Sequence, residues 1–244
     1  MNEIIQSLRV RKSVRVFEEA PVSEEIRNML LEAAFQAPTA GCQQLYTILD
    51  IRDPAEREEL ARLCDHQPFI AKAPVVLIFC ADCQRWLDAY EEAGLAPRRP
   101  GAGDLLLAVA DAVIAAQNTV VAAESLGLGS CYIGDVLEHR ERVKELLGMP
   151  EYAVPAAMLV MGWPTLQQRE RGKPERFAAR YLVSRDRYRR LNGNELRTMF
   201  EGRTGQQSFE AWMDAFCTRK YHADFSLEMN RSAREWLNPF QTSE

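Results

Sequence analysis

A central sheet covered by helices, in the α+β or α/β class, is what this sequence predicts. Three observations carry the prediction. Short apolar runs at 73–80 and 155–161 have the length of buried strands, and Ser-Cys-Tyr-Ile-Gly (130–134) reads as a short strand. Stretches with helix start and stop signals separate them. Two helical stretches, rather than one, lie between 80 and 130, and the chain is mostly helical and polar from 184 onward.

Residues 2–9 read as a helix and Val14 to Phe17 as extended chain. Ser23 can cap a helix that runs to about Gln36, with Glu24 and Glu25 in the first turn, where the helix dipole favours anions. The loop Ala-Pro-Thr-Ala-Gly-Cys-Gln-Gln (37–44) follows, and Leu45 to Ile51 reads as a strand. Asp53 caps the next helix, with Pro54 at its first position and Glu56 three residues after the cap. A long apolar helix at 104–126 stops at Gly127, and a helix at 138–147 stops at Gly148.

The 244 residues include 30 Lys and Arg against 35 Asp and Glu, a formal charge of −5. Apolar residues make up 47% of the chain, enough to offset the entropy of ordering it. An acidic chain lacks the electrostatic footprint of a general nucleic-acid binder. The start, MNEIIQSLRVRKSVRVF, has no apolar run of signal length before its first charges. Asp111 interrupts the apolar stretch 105–126, and the uncharged run 112–123 falls short of the ~20 residues that span a bilayer. The stretch therefore reads as a buried helix, and no membrane partner is expected. Its apolar residues run all round, so it needs neighbours on every side, from within the chain or across a two-fold interface. The six cysteines are scattered through a chain long enough to build its own core, which points to a reducing cytoplasm.

Arg11, Lys12, Ser13, Val14 and Arg15 form the first stretch with chemistry in it. Alternate side chains of an extended segment share a face, so Arg11, Ser13 and Arg15 point one way. Two guanidinium groups and a hydroxyl on one face can bind a phosphate dianion. The same pattern also describes a solvated edge strand guarded by positive charge. The loop 37–44, small and rich in amide donors, suits close approach of a planar ligand. It is equally a plain connection built from turn residues.

Other signals point away from chemistry. Gly127-Leu128-Gly129 follows a helix and precedes a strand, the reverse of a dinucleotide-binding turn. Cys80-Ala81-Asp82-Cys83 has no second pair of ligands for a structural metal, so no metal site is expected, and core packing is the better account. No GxSxG is present for a serine hydrolase.

Five segments in order, RKSVRVF, APTAGCQQLYTILDI, HQPFIAKAPVVLIFCAD, GLGSCYIGD and MGWP, together resemble the FMN-dependent nitroreductase family. The later GKPERFAARYLVSRDRYRRL and the tail TRKYHADFSLEMNRSAREW are similar to one branch of it. The resemblance implies a nitroreductase-like α+β fold, with a central mixed or antiparallel sheet flanked by helices. It implies an FMN-binding core over 1–183 and a helical C-terminal extension over 184–244 that packs on the core or on a dimer partner.

It also implies a set of cofactor-binding residues. Arg11, Lys12, Ser13 and Arg15 would hold the phosphate and ribityl chain. Pro38, Thr39, Ala40 and Gly41 would lie against the flavin or the ribityl chain, a loop that relatives often supply from the other subunit of a homodimer. Cys42 stands where the family usually has Asn. Gln67 would contact the ring or ribityl chain, and Tyr132, Ile133, Gly134 and Asp135 would place backbone N–H groups beside the ring. Lys173 and Arg176 would add late cations for the phosphate. The implied activity passes hydride from NADPH or NADH through FMN to a nitroaromatic, quinone, flavin or similar small acceptor by a ping-pong mechanism. No side chain is then expected to act as an essential acid or base, and Lys12 is the cation expected near the flavin N1–C2=O edge. Arg197, Arg203, Arg219 and Lys220 are basic residues that could meet the 2′-phosphate of NADPH. A same-fold reductase for a different acceptor (dehalogenation, flavin cleavage) and a flavin-binding module without turnover are the alternatives.

Overall fold

The computed structural model describes residues 2–241. Four strands form one antiparallel sheet: β1 (Tyr46–Asp50), β2 (Val75–Asp82), β3 (Gly129–Ile133) and β4 (Ala153–Gly162), in the spatial order β1-β2-β4-β3. The sheet is thus antiparallel throughout, as befits the α+β class. The helices are α1 (Glu3–Val10), α2 (Glu24–Phe35), α3 (Pro54–Leu63), α4 (Phe69–Lys72), α5 (Gln84–Glu92), α6 (Ala102–Ser125), α7 (Arg140–Leu146), α8 (Leu166–Glu170), α9 (Ala179–Leu182), α10 (Gly193–Thr204), α11 (Phe209–Tyr221) and α12 (Asp224–Leu237).

The start signals act where the sequence puts them. Ser23 Oγ accepts the Ile26 N–H at 3.2 Å, and Asp53 Oδ1 accepts those of Ala55 and Glu56 at 2.7 and 3.2 Å. Gly127, at φ 82°, ends α6 in the left-handed conformation.

Every residue of β2 is buried, because both faces of the sheet are covered. The period-2 pleat divides its side chains. Val75, Leu77 and Phe79 join Leu30 and Ala34 of α2 and Ala112, Ala115 and Ala116 of α6. Val76, Ile78 and Cys80 join Leu60 of α3, Ile70 of α4 and Val143 of α7.

α6 has the length and composition of a membrane-crossing helix, yet it is a core helix on one side. Its face with Ala108, Ala112, Ala115, Thr119 and Ala123 is buried. The other face is uncovered: Leu106, Leu107, Val113 and Ile114 are exposed, Leu106 by 72%. The expectation of neighbours on every side therefore holds for one side of the helix within a single chain.

Contacts group the chain into two compact units, Met1–Gly172 with Glu228–Glu244, and Lys173–Leu227. The sequence places its boundary at 183/184. In the first unit, residues from Glu228 on lie with the sheet core, where Trp236 and Phe240 are buried and Phe240 meets Tyr152 edge to face at 5.4 Å. The second unit has its own aromatic cluster: Phe177, Phe200 and Trp212 have ring centroids 5.1 and 5.5 Å apart in turn, and Trp212 stacks on Phe216 at 4.9 Å.

Candidate functional site

The basic segment leaves α1 at Arg11 and runs extended along the sheet edge. It forms no regular strand. Ser13 pairs with Ser130 of β3, Phe17 pairs with Pro164, and the Val14 N–H donates to the Ser130 carbonyl at 2.9 Å. Two glycines admit it. A Cβ on Gly129 would lie 2.5 Å from a Val14 methyl, and one on Gly162 would lie 2.6 Å from Pro74 and 2.9 Å from Phe17.

With Val14 buried against β3, alternation sorts the neighbouring side chains. Lys12 and Val14 line one cavity of about 230 Å³, together with Glu124, Gln168 and Arg169. Lys12 Nζ donates to the Arg169 carbonyl at 2.6 Å there. Arg11, Ser13 and Arg15 do not line it, as period 2 requires.

Three cross-links gather the other face. The Arg11 charge acts on Tyr132, a phenol that burial pushes up to about 12 and that donates to Gln117 Oε1 at 3.3 Å. Arg15 lies over the Phe69 ring, its Cζ 5.9 Å from the centroid. Phe69 stands two residues after Gln67, whose Nε2 donates to Asp135 Oδ2 at 2.6 Å and to the Cys64 carbonyl at 2.8 Å. Residues 11–15, 67–69 and 130–135 thus come together. Left-handed Asp65 (φ 56°) and His66 (φ 51°) turn the chain from α3 into Gln67; Asp and His are residue types that enter this region more readily than most.

Charge at this place is unbalanced. No ion pair joins Arg11, Lys12 or Arg15 to a carboxylate among the described residues. Arg11 Nε and Ser130 Oγ are buried without a hydrogen-bond partner among the described residues. A buried guanidinium N–H wants an acceptor, and an oxyanion is the strongest. Gly134 faces open space, since a Cβ there would meet nothing within 4 Å. This donor set fits a phosphorylated ligand with a planar body beside the 132–135 backbone.

The loop 38–41 is held elsewhere. Asp111 of α6, 3% exposed, accepts from the Ala40 N–H at 2.9 Å and the Leu45 N–H at 3.2 Å, and its Oδ2 forms a short bond with the Thr39 hydroxyl. Thr39 Oγ1 in turn accepts the Gln44 N–H at 2.7 Å. Gly41, Cys42 and Gln44 are all left-handed, Cys42 at φ 59°, and Pro38, Gly41 and Cys42 are exposed. No hydrogen bond or ion pair among the described residues joins this loop to residues 11–15.

Lys173 and Arg176 belong to the second unit. Arg176 lines a cavity there of about 740 Å³ with Phe177, Tyr181, Trp212 and Arg203. The Arg203 guanidinium sits 3.8 Å from the Phe177 centroid. Arg197 is paired with Glu210 at 2.5 Å, while Arg219 and Lys220 lie over Phe216 and Phe225.

Two residues of the region carry weight the sequence did not reveal. Asp111 announced itself only as a lone charge in an apolar helix. Glu138, 3% exposed, gave no signal at all. The CxxC thiols are buried and free, and burial pushes both up to about 12, so neither is a ready nucleophile.

A family model described as "Nitroreductase family" matches residues 8–163. A relative named FMN reductase (NADPH), from Bacillus subtilis (strain 168), is 30% identical over 223 residues, 88% of this chain and 90% of that protein. The solved structure of NADPH:FMN oxidoreductase from Vibrio harveyi complexed with NAD+ superposes with a TM-score of 0.82 at 26% identity, covering 97% of this chain and 98% of that one. The structure of B. megaterium NfrA2 superposes with a TM-score of 0.83 at 26% identity, over the full length of both chains.

Proposed function

The chain belongs to the nitroreductase family, and from that premise we propose that it is an NAD(P)H-dependent FMN oxidoreductase acting on nitroaromatics, quinones, flavins or similar small acceptors. One observation carries the reading: a cluster of cations without carboxylate partners among the described residues, one with a buried N–H unpartnered there, beside an open backbone turn.

Bound FMN supplies the hydride-accepting and hydride-donating chemistry. The chain's own residues bind and orient. Arg11, Ser13 and Arg15 share a face and supply charged and neutral donors for the phosphate. Tyr132, Ile133, Gly134 and Asp135 carry backbone groups along the ring, and Gln67 reaches it from the α3–α4 turn. No acid or base side chain is required. Donor and acceptor then use one place in turn, which makes the kinetics ping-pong. In the second unit, Arg203 has an aromatic-lined cavity beside it and no carboxylate partner among the described residues, which suits the 2′-phosphate of NADPH.

Two features of the first unit support the homodimer reading. The loop 38–41 is shaped and anchored, and among the described residues no hydrogen bond or ion pair joins it to the 11–15 segment. Leu106, Leu107, Val113 and Ile114 of α6, with Ile4, Ile5 and Leu8 of α1, leave an apolar surface of the kind subunits cover. The six free cysteines suit a reducing cytoplasm.

The test is direct. The purified chain should be yellow, should bleach on anaerobic addition of NADPH, and should recolour with a quinone. A flavin that stays oxidised under excess NADPH and NADH would overturn the enzyme reading. Arg15→Ala should weaken FMN binding by about 1.5–3 kcal/mol, the range for hydrogen bonds to charged groups. Unchanged flavin retention in that variant after dialysis would place the phosphate elsewhere.

A further inference from the structure

α12 turns one face toward the main chain that follows the 132–135 segment. Side chains four residues apart share a helix face, and Glu228, Ser232 and Trp236 have that spacing. Each of the three bonds to main chain between Leu137 and Arg140. Glu228 Oε1 accepts the His139 N–H at 3.1 Å. Ser232 Oγ accepts the Arg140 N–H at 2.8 Å and donates to the Leu137 carbonyl at 2.6 Å. Trp236 Nε1 donates to that same carbonyl at 3.2 Å. Ser232 is fully buried and Trp236 nearly so. The serine hydroxyl has one proton, and with the Arg140 N–H directed at its oxygen, that proton goes to Leu137. Ser232 thus bridges the two ends of a bend made at left-handed His139 (φ 50°). Two further contacts hold the helix in register with it: Arg231 pairs with Glu141 of α7 at 2.9 Å, and the Arg140 guanidinium lies over the Trp236 ring, 5.5 Å from its centroid.

The Leu137 carbonyl is where this bears on the candidate site. It shares one rigid peptide plane with the Glu138 N–H. That N–H donates to the Asp135 carbonyl at 3.0 Å, and the Leu137 N–H donates to the Gly134 carbonyl at 3.1 Å, which closes a tight 3₁₀ turn over Asp135–Leu137. Asp135 in turn accepts from Gln67 Nε2 at 2.6 Å. Rotation of the 137–138 peptide would therefore cost bonds at both ends: two side-chain donors at its oxygen, and the Asp135 carbonyl at its nitrogen. Donors at the oxygen also polarise the peptide and strengthen the bond its N–H makes.

We propose that Ser232 and Trp236 are positioning residues for flavin binding: they fix the 137–138 peptide and, through it, set the Gly134 and Asp135 backbone at the geometry the flavin ring meets. The inference rests on the flavin reading above for residues 132–135. Both residues act through the main chain, from 95 and 99 positions further along the sequence than Leu137.

FMN titrations of the full chain, followed by flavin fluorescence, test this with the native protein, Ser232→Ala and Trp236→Phe. The first variant removes both bonds of the hydroxyl; the second removes the indole N–H and keeps a ring. Phe240→Leu is the control, a buried residue of the same tail that meets the Tyr152 ring and has no side-chain hydrogen bond to give. Urea unfolding ranks the stability of all four proteins. The FMN Kd should rise severalfold in Ser232→Ala, and by less in Trp236→Phe, which keeps the serine donor. The reduction potential of the flavin, measured at saturating FMN, should fall in both, because N–H groups displaced from beside the ring no longer favour its reduced, more negative form. Phe240→Leu should lose stability at native Kd and potential, as a purely structural role would have it. Native Kd and potential in both Ser232→Ala and Trp236→Phe overturn the inference and leave the flavin reading standing. An equal rise of Kd in Phe240→Leu overturns it too. Should Ser232→Ala fail to fold, Trp236→Phe decides by the same measurements. A native chain that binds no FMN overturns both the inference and the flavin reading.

Discussion

Two carboxylates are buried to the same degree in the first unit and meet opposite surroundings. Asp111 and Glu138 are each 3% exposed. Asp111 sits under a loop that turns two backbone N–H groups and a hydroxyl toward it. Glu138 sits among Asp135, Asp65 and Glu228, with one oxygen lacking a donor among the described residues. Burial alone therefore does not decide what a carboxyl does. Supply of donors does: a buried carboxyl that meets three donors anchors a loop, while burial among anions pushes the Glu138 carboxyl above its ordinary range.

Removing the donors' target should give the largest effect. Asp111→Ala strands two N–H groups and a hydroxyl in a buried place and should cost about 3 kcal/mol or more, each unsatisfied group being worth about 1–3 kcal/mol. Urea unfolding measures it, and a loss below 1 kcal/mol would mean that water replaces the carboxylate freely. Next comes the hydroxyl alone. Thr39→Val removes one donor to Asp111 and the acceptor for the Gln44 N–H. It should cost about 1.5–3 kcal/mol in the same measurement, the range for hydrogen bonds to charged groups.

The smallest effect should have the opposite sign and depend on pH. Glu138 has a folded-state pKa near 7, above its ordinary 4.5. Its contribution to stability is fully present below about 4.5 and is lost as pH rises through 7, so the native protein should weaken from pH 5 to pH 8. Glu138→Gln removes that dependence. It should raise Tm at pH 8 by a few degrees, about 1 kcal/mol for a chain of this size, with little change at pH 5. An equal change at both pH values would show that Glu138 is charged throughout and would erase the contrast with Asp111.

Some of this was open to inspection in the sequence because it is local. Ser23 and Asp53 act as caps since a cap needs only the next three residues. The strands at β2 and β4 show as apolar runs because both faces of the sheet are covered. Extended alternation separates Lys12 from Arg11 and Ser13 before any contact is known. What resisted was non-local. Gly129 and Gly162 are required by Val14, Phe17 and Pro74, residues far away in the chain. The bond from Gln67 to Asp135 spans 68 positions. The tail beyond Glu228 lies with the core, where Ser232 and Trp236 both donate to the Leu137 carbonyl.

Caps, strands, the cationic segment and the likeness to a family were thus determined by the sequence itself, since each is a matter of neighbours or of a pattern repeated in order. Which buried carboxyl finds donors and which finds anions, which way an amide faces, and which flank of α6 stays bare were decided only by tertiary structure. Solvation and charge sum over everything within a few ångströms, and folding alone determines what that is.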